Sequence, residues 1–315
     1  MKSIAAINLK NGEKGFERRV RFQGDDVHVI HVETGGDMDR AAEALDKWES
    51  RADVLALENL RPPFQAGPEN LLARQEEKRD ALAGFFSKPL ASGSRLLGTC
   101  RKWTLLEIDD DHGESVFEDA AVLFTAGMTD TATAKHLLEY TGNLRFCDPV
   151  LFCGIPKILD SLEDLFLYAQ YVYPVSEKLP AKKLADKTFF LSAYNAHIVA
   201  AAIEAADIIV VPYYRFFEDL GDCGIEALGG KTVITDAVCT DRLKFLKQRG
   251  VRMIIDTIPK IADVVCGPAV VEAILTAASG SDRHALTGRD IEHTLSAINA
   301  KPRVILPFEK RAQNR

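Results

Sequence analysis

Lysine and aspartate near strand ends are what proton transfer to and from an alcohol requires. Asp236 with either Lys260 or Lys157 could form such a pair, since Asp236 follows the apolar run 232–235, Lys260 follows Asp256-Thr257 and Lys157 lies near the second strand of its region. Val211-Pro212-Tyr213-Tyr214-Arg215 closes another strand-like run. Open parallel sheets bind ligands beyond the carboxyl ends of their strands, so Tyr213 and Tyr214 could stack on a ring there. Arg215 could grip a carboxylate, with Thr257 on the same rim. Upstream, Thr125-Ala126-Gly127 leads from an apolar run into a helical pattern containing Thr129 and Thr131. A helix start carries unpaired N–H groups and can hold a phosphate. Asp148 falls about twenty residues after that turn, where a dinucleotide site places the carboxylate that holds a ribose. Only Gly127 stands where three glycines are usual, and Asp130 would repel a pyrophosphate. Thr129 or Asp130 would equally serve as a helix cap, and Asp148 as a turn residue before Pro149.

Two α/β regions must position these residues. In the first, Ser3 to Leu9, Val27 to Val32 and Asp53 to Leu57 read as strands, and Asp37 to Trp48 as a helix with apolar residues every three or four positions. Arg61 to Pro68 reads as a loop, and Glu69 to Phe86 as a charged helix. Leu96 to Leu106 has mixed patterning that assigns neither state. Asp109 to Gly113 reads as a solvated polar hinge rather than a calcium loop, because its acids are adjacent.

In the second region, strands are expected at 120–125, 144–148, 207–211, 232–236 and 252–256. Helices are expected at 129–140, 161–173, 194–205 and 240–249. Such alternation predicts a parallel sheet covered on both faces. The expected fold is therefore two α/β domains, 1–115 and 116–267, the second Rossmann-like. Helices at 270–278 and 290–298, within 268–315, could cross back to the first domain. Leu162 to Val175 is the most apolar helical stretch and reads as buried. His197 reads as a half-buried helical histidine, and Phe216 to Gly224 as a lid.

The 315 residues suffice for two domains, and the net charge of −7 argues against nucleic acid or an anionic membrane as partner. Six cysteines without CxxC spacing read as buried thiols in a cytoplasmic protein. No leader or membrane span is expected. The histidines lack metal-ligand spacing, and there is neither a GxSxG elbow nor a P-loop. A homodimer is left open.

Residues 118–275 resemble a bacterial family described as quinate 5-dehydrogenase-like. The resemblance runs through Cys147 to Pro156, Leu162 to Pro180, Gly230 to Thr235, Arg249-Gly250-Val251, Asp256 to Pro259 and Cys266 to Ala273. It departs at Val265-Cys266, at Pro268-Ala269 and at Asp236, which stands where an Asn is usual. The resemblance implies a Rossmann fold and NAD(P)-linked oxidation. With the residues above, the expected function is an NAD- or NADP-dependent oxidoreductase acting on a small hydroxy or oxo acid between two domains. One alternative is a transferase using S-adenosylmethionine or a nucleotide-sugar. The other is a non-catalytic ligand sensor or partner protein.

Overall fold

Val- and Ile-rich runs alternating with helical segments fold into two α/β units. The computed structural model describes residues 1–9, 15–112, 116–179, 187–220, 227–261, 267–279 and 286–307. The first unit comprises Met1–Pro63, Ala73–Thr104 and Ile258–Lys301, and the second Phe64–Leu72, Leu105–Thr257 and Pro302–Arg315.

The first unit is built on β1 (Lys2–Asn8), β2 (Phe16–Phe22), β3 (Asp25–Glu33), β4 (Val54–Glu58) and β5 (Leu90–Ala91), ordered β2-β3-β1-β4-β5. All pairs are parallel except β2 with β3, which form a hairpin. Gln23 and Gly24 both take positive φ, the backbone a two-residue hairpin turn needs. The charged β2, reading Phe-Glu-Arg-Arg-Val-Arg-Phe, has no sequence signal of a strand. It is an edge strand, where charge is tolerated. α1 (Met38–Glu49) is capped by the Asp37 carboxylate and packs Ala41 and Leu45 on Ala5, Ile7, Leu55 and Leu57. The chain divides between the units inside α2 (Glu69–Phe85) and α3 (Ser94–His112). α3 takes in the stretch 96–106 that sequence left unassigned. It also replaces the expected hinge up to His112, while Gly113 lies outside the described residues.

The second unit holds β6 (Val122–Phe124), β7 (Leu144–Phe146), β8 (Ile208–Val210), β9 (Thr232–Thr235) and β10 (Met253–Asp256), all parallel. β11 (Arg303–Ile305) closes the edge antiparallel to β10, giving the order β11-β10-β9-β8-β6-β7. Successive residues of a strand face opposite ways. Val122, Phe124, Ile208 and Val210 pack with α4 (Thr131–Leu137) and α6 (Leu162–Leu167). Leu123, Ile209, Val233 and Ile254 instead pack with α5 (Asp148–Cys153), α8 (Phe189–Ala205), α9 (Phe216–Leu220) and α10 (Thr240–Gln248). Both faces are covered, as the alternation of elements predicts.

Two helices differ from expectation. The segment expected as one helix at 129–140 is a 3₁₀ turn, Gly127–Thr129, followed by the shorter α4. The segment 161–173 is α6, then a π-helical turn at Tyr168–Val172, then α7 (Tyr173–Ser176). Pro174 explains the widened turn, because it has no N–H for the carbonyl four residues back and its ring crowds that carbonyl.

α11 (Pro268–Ser279) packs on β4 and β1 of the first unit, and α12 (Gly288–Ala297) is held by a capping box at Thr287 and Asp290. Every residue of α11 from Pro268 to Ala277 is buried. Its Glu272 accepts the Leu96 N–H at 3.3 Å, capping the start of α3, and burial raises its pKa. No helix among the described residues is long and apolar enough to cross a membrane.

Candidate functional site

The turn after β6 puts two adjacent N–H groups where an anion would sit. A carboxylate of the chain itself takes that place. Gly127 N–H donates to Asp148 Oδ2 at 2.9 Å and Met128 N–H to Oδ1 at 2.8 Å. Asp148 is the first residue of α5 rather than the end of a strand, and it is fully buried. Burial pushes its pKa up to about 7, against the two N–H bonds that favour the charged form. The turn accepts only glycine at 127, since a Cβ there would lie 2.3 Å from the Phe146 ring.

The other rim residues are also paired within the second unit. Thr129 Oγ1 donates to the Ala126 carbonyl at 2.9 Å and lies 3.4 Å from Tyr214 Oη. Asp236 accepts from Thr257 Oγ1 at 2.5 Å and from Tyr213 N–H at 3.4 Å. Tyr213 and Tyr214 are both buried. Arg215 donates from Nη2 to Asp219 at 2.7 Å and stacks on Phe152 at 4.9 Å, so its charge is engaged inside the unit. Asp219 is buried, which raises its pKa, while Arg215 acts to lower it. Asp219 and Arg215 stand in the segment expected as a lid. Its first part is the helix α9, with Phe216 and Leu220 buried, and residues 221–226, with Asp222 and Gly224, lie outside the described residues.

Tyr213, Tyr214, Asp236 and Thr257 are thus brought together, as are Gly127, Thr129 and Asp148. Lys157 is exposed and pairs with Asp160 at 3.6 Å. Lys260 is exposed and belongs to the first unit. His197 is exposed rather than half-buried. Cys100, Cys147 and Cys153 are buried free thiols, Cys239 is partly buried, and Cys223 and Cys266 lie outside the described residues. No group of three or more His, Cys, Asp or Glu among the described residues could hold a metal ion.

A groove open to solvent lies elsewhere in the second unit, among residues that no sequence motif singles out. A groove of about 530 Å³ is bordered by Leu138, Leu162, Phe166 and Leu167, with Gln65 and Gly67 on one wall and Gln170 and Tyr171 from the π-helical turn. Gln65 is anchored to the turn that Asp148 braces, because its N–H donates to the Met128 carbonyl at 2.7 Å. Its Oε1 accepts from Thr131 Oγ1 at 3.1 Å and Ala132 N–H at 3.2 Å, which leaves the amide N–H groups as its donors toward an occupant. Gly67 has a φ of +138°, open only to glycine. α6 is fixed by Ser161, whose Oγ accepts the Asp164 N–H at 3.0 Å, and Lys135 Nζ lies 5.4 Å from the Phe166 ring centre. The signals available in the sequence were Gly67-Pro68 in the loop and Pro174 inside an apolar helix.

A two-unit α/β protein with a Rossmann-like second sheet is the class defined by these features. Residues 95–307 match the family described as Domain of unknown function (DUF8754), and the chain belongs to that family. Residues 3–83 match a second one, Domain of unknown function (DUF8753). No curated protein matches the chain. Among solved structures it is similar to a periplasmic solute binding protein of an ABC transporter from Actinobacillus succinogenes 130z with bound D-allose. That similarity has 10% identity, 98% of each chain covered and a TM-score of 0.40. It is similar also to an ABC transporter solute binding protein from Burkholderia graminis C4D1M in complex with D-arabinose, at 11% identity, 91% of each chain and a TM-score of 0.40. A galactofuranose binding protein gives 12% identity over 96% of this chain and 94% of that one, with a TM-score of 0.37.

The family match corrects the resemblance to a quinate 5-dehydrogenase-like family, since the family whose model covers residues 95–307 is a different one. The oxidoreductase reading is corrected with it, because the turn expected to hold a cofactor phosphate is closed by a carboxylate of the chain itself. The physical reason lies in the turn after β6, whose N–H pair is held by Asp148.

Proposed function

We propose that the second unit is a non-catalytic module that binds a small molecule in the groove between residues 65–67 and the helix beginning at Leu162. The groove itself carries this reading. Its 530 Å³ falls within the roughly 300–1,000 Å³ typical of small-molecule sites. Such sites are mainly apolar with a few placed polar groups, and here Gln65, Glu163 and Gln170 are set among leucines and aromatic rings. π-helical turns are rare and concentrate at functional sites. Glu163 is present and no lysine or arginine is found among the described lining residues, which favours a neutral or cationic occupant with an apolar body. The non-catalytic part rests on the rim: Asp148, Asp219 and Asp236 are each bonded inside the fold, where a general base needs a reachable proton.

The test is a thermal-shift panel on the full chain with neutral aromatic, cationic, anionic and monosaccharide compounds. A compound at 100 times its Kd adds roughly 2.7 kcal/mol, a shift of several degrees for a chain of this size. The expected result is a shift with neutral or cationic aromatic compounds that Tyr171→Ala and Leu167→Ser abolish. Shifts that survive both substitutions, or that occur with anions alone, would overturn the reading.

A further inference from the structure

β3 reads Asp-Asp-Val-His-Val-Ile-His-Val-Glu, and the odd spacing of its two histidines puts one on each face of the sheet. His28 meets the exposed Glu17 at 3.2 Å. His31 stands in register with Ala6, and Glu58 with Asn8, so both leave the sheet on the face opposite α1, which packs on Ala5 and Ile7. The start of α11 lies over that face, since a Cβ on Gly267 would come within 3.1 Å of Glu58 Oε1.

His31 Nδ1 lies 2.8 Å from Glu58 Oε2, with only 8% and 11% of the two side chains exposed. A carboxylate can only accept, so Nδ1 carries the hydrogen and Nε2 of the neutral ring is an acceptor. Nε2 is itself buried and has no hydrogen-bond partner in the protein. A buried acceptor left unpaired is destabilising, and in a native fold such a group points to a functional role or a bound species. The neighbouring polar groups are already engaged: Thr34 Oγ1 donates to the Asn8 carbonyl at 2.6 Å and Asn59 Nδ2 to Asn8 Oδ1 at 2.7 Å. Among the described residues no lysine or arginine pairs with Glu58, and the Arg18 guanidinium lies 5.6 Å from the centre of the Phe16 ring.

We propose that the carboxyl ends of β1, β3 and β4 form a binding site for a small aliphatic ammonium group, whose N–H is accepted by His31 Nε2 and whose charge is balanced by Glu58. Open parallel sheets bind ligands beyond these strand ends. The acceptor and the carboxylate select the occupant together. An anion is repelled, and a neutral hydroxyl fills Nε2 without the charge-assisted gain that an ammonium makes beside a carboxylate. Phe16 guards the entry. Its ring stacks on His31 at 4.1 Å yet is 46% exposed, at the first residue of an edge strand. Gly15 lets it lie so close, because a Cβ there would come within 2.9 Å of the His31 carbonyl oxygen. Exposed side chains change rotamer within nanoseconds, so the ring can swing aside and then close over the cation with its π face. The buried position admits a short alkyl chain and no aromatic ring. The site stands without the groove reading, since none of these residues lines the groove.

NMR of the full chain with isotope-labelled histidine tests it, the His31 signals being those lost in His31→Gln. The free chain is expected to show His31 as the Nδ1–H tautomer near neutral pH. Propylammonium, raised to about 50 mM at constant ionic strength, is expected to move the Nε2 resonance to saturation, as a Kd in the millimolar range or below requires. Tetramethylammonium, with the charge but no N–H, and propionate are expected to leave it unmoved, and propanol to bind at least tenfold more weakly. Glu58→Gln keeps an acceptor for Nδ1–H but removes the charge, and should raise the propylammonium Kd at least tenfold in a chain shown to be folded by circular dichroism. Tyr171→Ala, in the groove wall, should leave that Kd unchanged. A His31 that responds to propionate in place of propylammonium would mean that the ring holds the proton itself, and overturns the proposal. So do an equal response to tetramethylammonium, an unchanged Kd in Glu58→Gln, and no response to propylammonium.

Discussion

Asp148 is the residue whose chemistry differs most from its ordinary behaviour. Its pKa stands near 7 in the fold and near 3.8 in an exposed setting. Between those values the folded chain keeps a proton that the unfolded chain has lost. Stability therefore falls as pH rises from about 4 to 7 and levels off above, by on the order of a few kcal/mol. Chemical denaturation across that range should show this slope, and Asp148→Asn should flatten it. The same variant should cost about 1–3 kcal/mol near pH 7, because an amide NH₂ then faces one of the two N–H donors. Arg215→Ala is expected to lose about 3–5 kcal/mol, since it strands the buried Asp219 carboxylate. An Arg215 that only gripped a ligand would leave the midpoint unchanged. Gly127→Ala should cost about 3 kcal/mol through overpacking against Phe146. The types of these residues and their spacing along the chain were legible in sequence. The direction each side chain turns was not: whether Asp148 reaches outward or back into its own turn depends on packing between β6, β7 and α5.

At the scale of elements, the parallel strands and most helices follow from hydrophobic period and length. Elements that fail this test do so for local reasons. β2 carries four charged residues at a sheet edge, and β5 and β11, two and three residues long, are too short to show a pattern. α3 buries one face in each turn from Leu96 to Ile108, but the buried Arg101 and Thr104 on that face blur its apolar period. The apolar run 162–175 could not reveal which of its faces lacked cover. Ser161→Ala should cost about 1 kcal/mol by removing the cap of α6. Because α6 and the π-helical turn form one wall of the groove, the same variant should weaken ligand binding severalfold, readable by titration calorimetry. Pro174→Ala should let the helix run through with ordinary i→i+4 bonds, shifting Gln170 and Tyr171 from the groove wall. Binding should then fall while the melting midpoint holds or rises.

For the whole molecule, two α/β units were expected from the alternation of strands and helices, and two are present. Function was less legible, because an acid twenty residues after a glycine turn suits a ribose site and an internal brace equally well. The groove that opens the second unit draws on residues 65–67, 138 and 162–171, which no local motif connects. Its role as the ligand site is tested most directly by backbone amide NMR of the full chain during titration with a compound that raises the melting midpoint. Saturating shifts confined to Gln65, Gly67, Gln170 and Tyr171 are the predicted result. Shifts centred on Gly127–Thr129 and Tyr213–Arg215, with the groove amides unmoved, would place the ligand at the strand ends and contradict it.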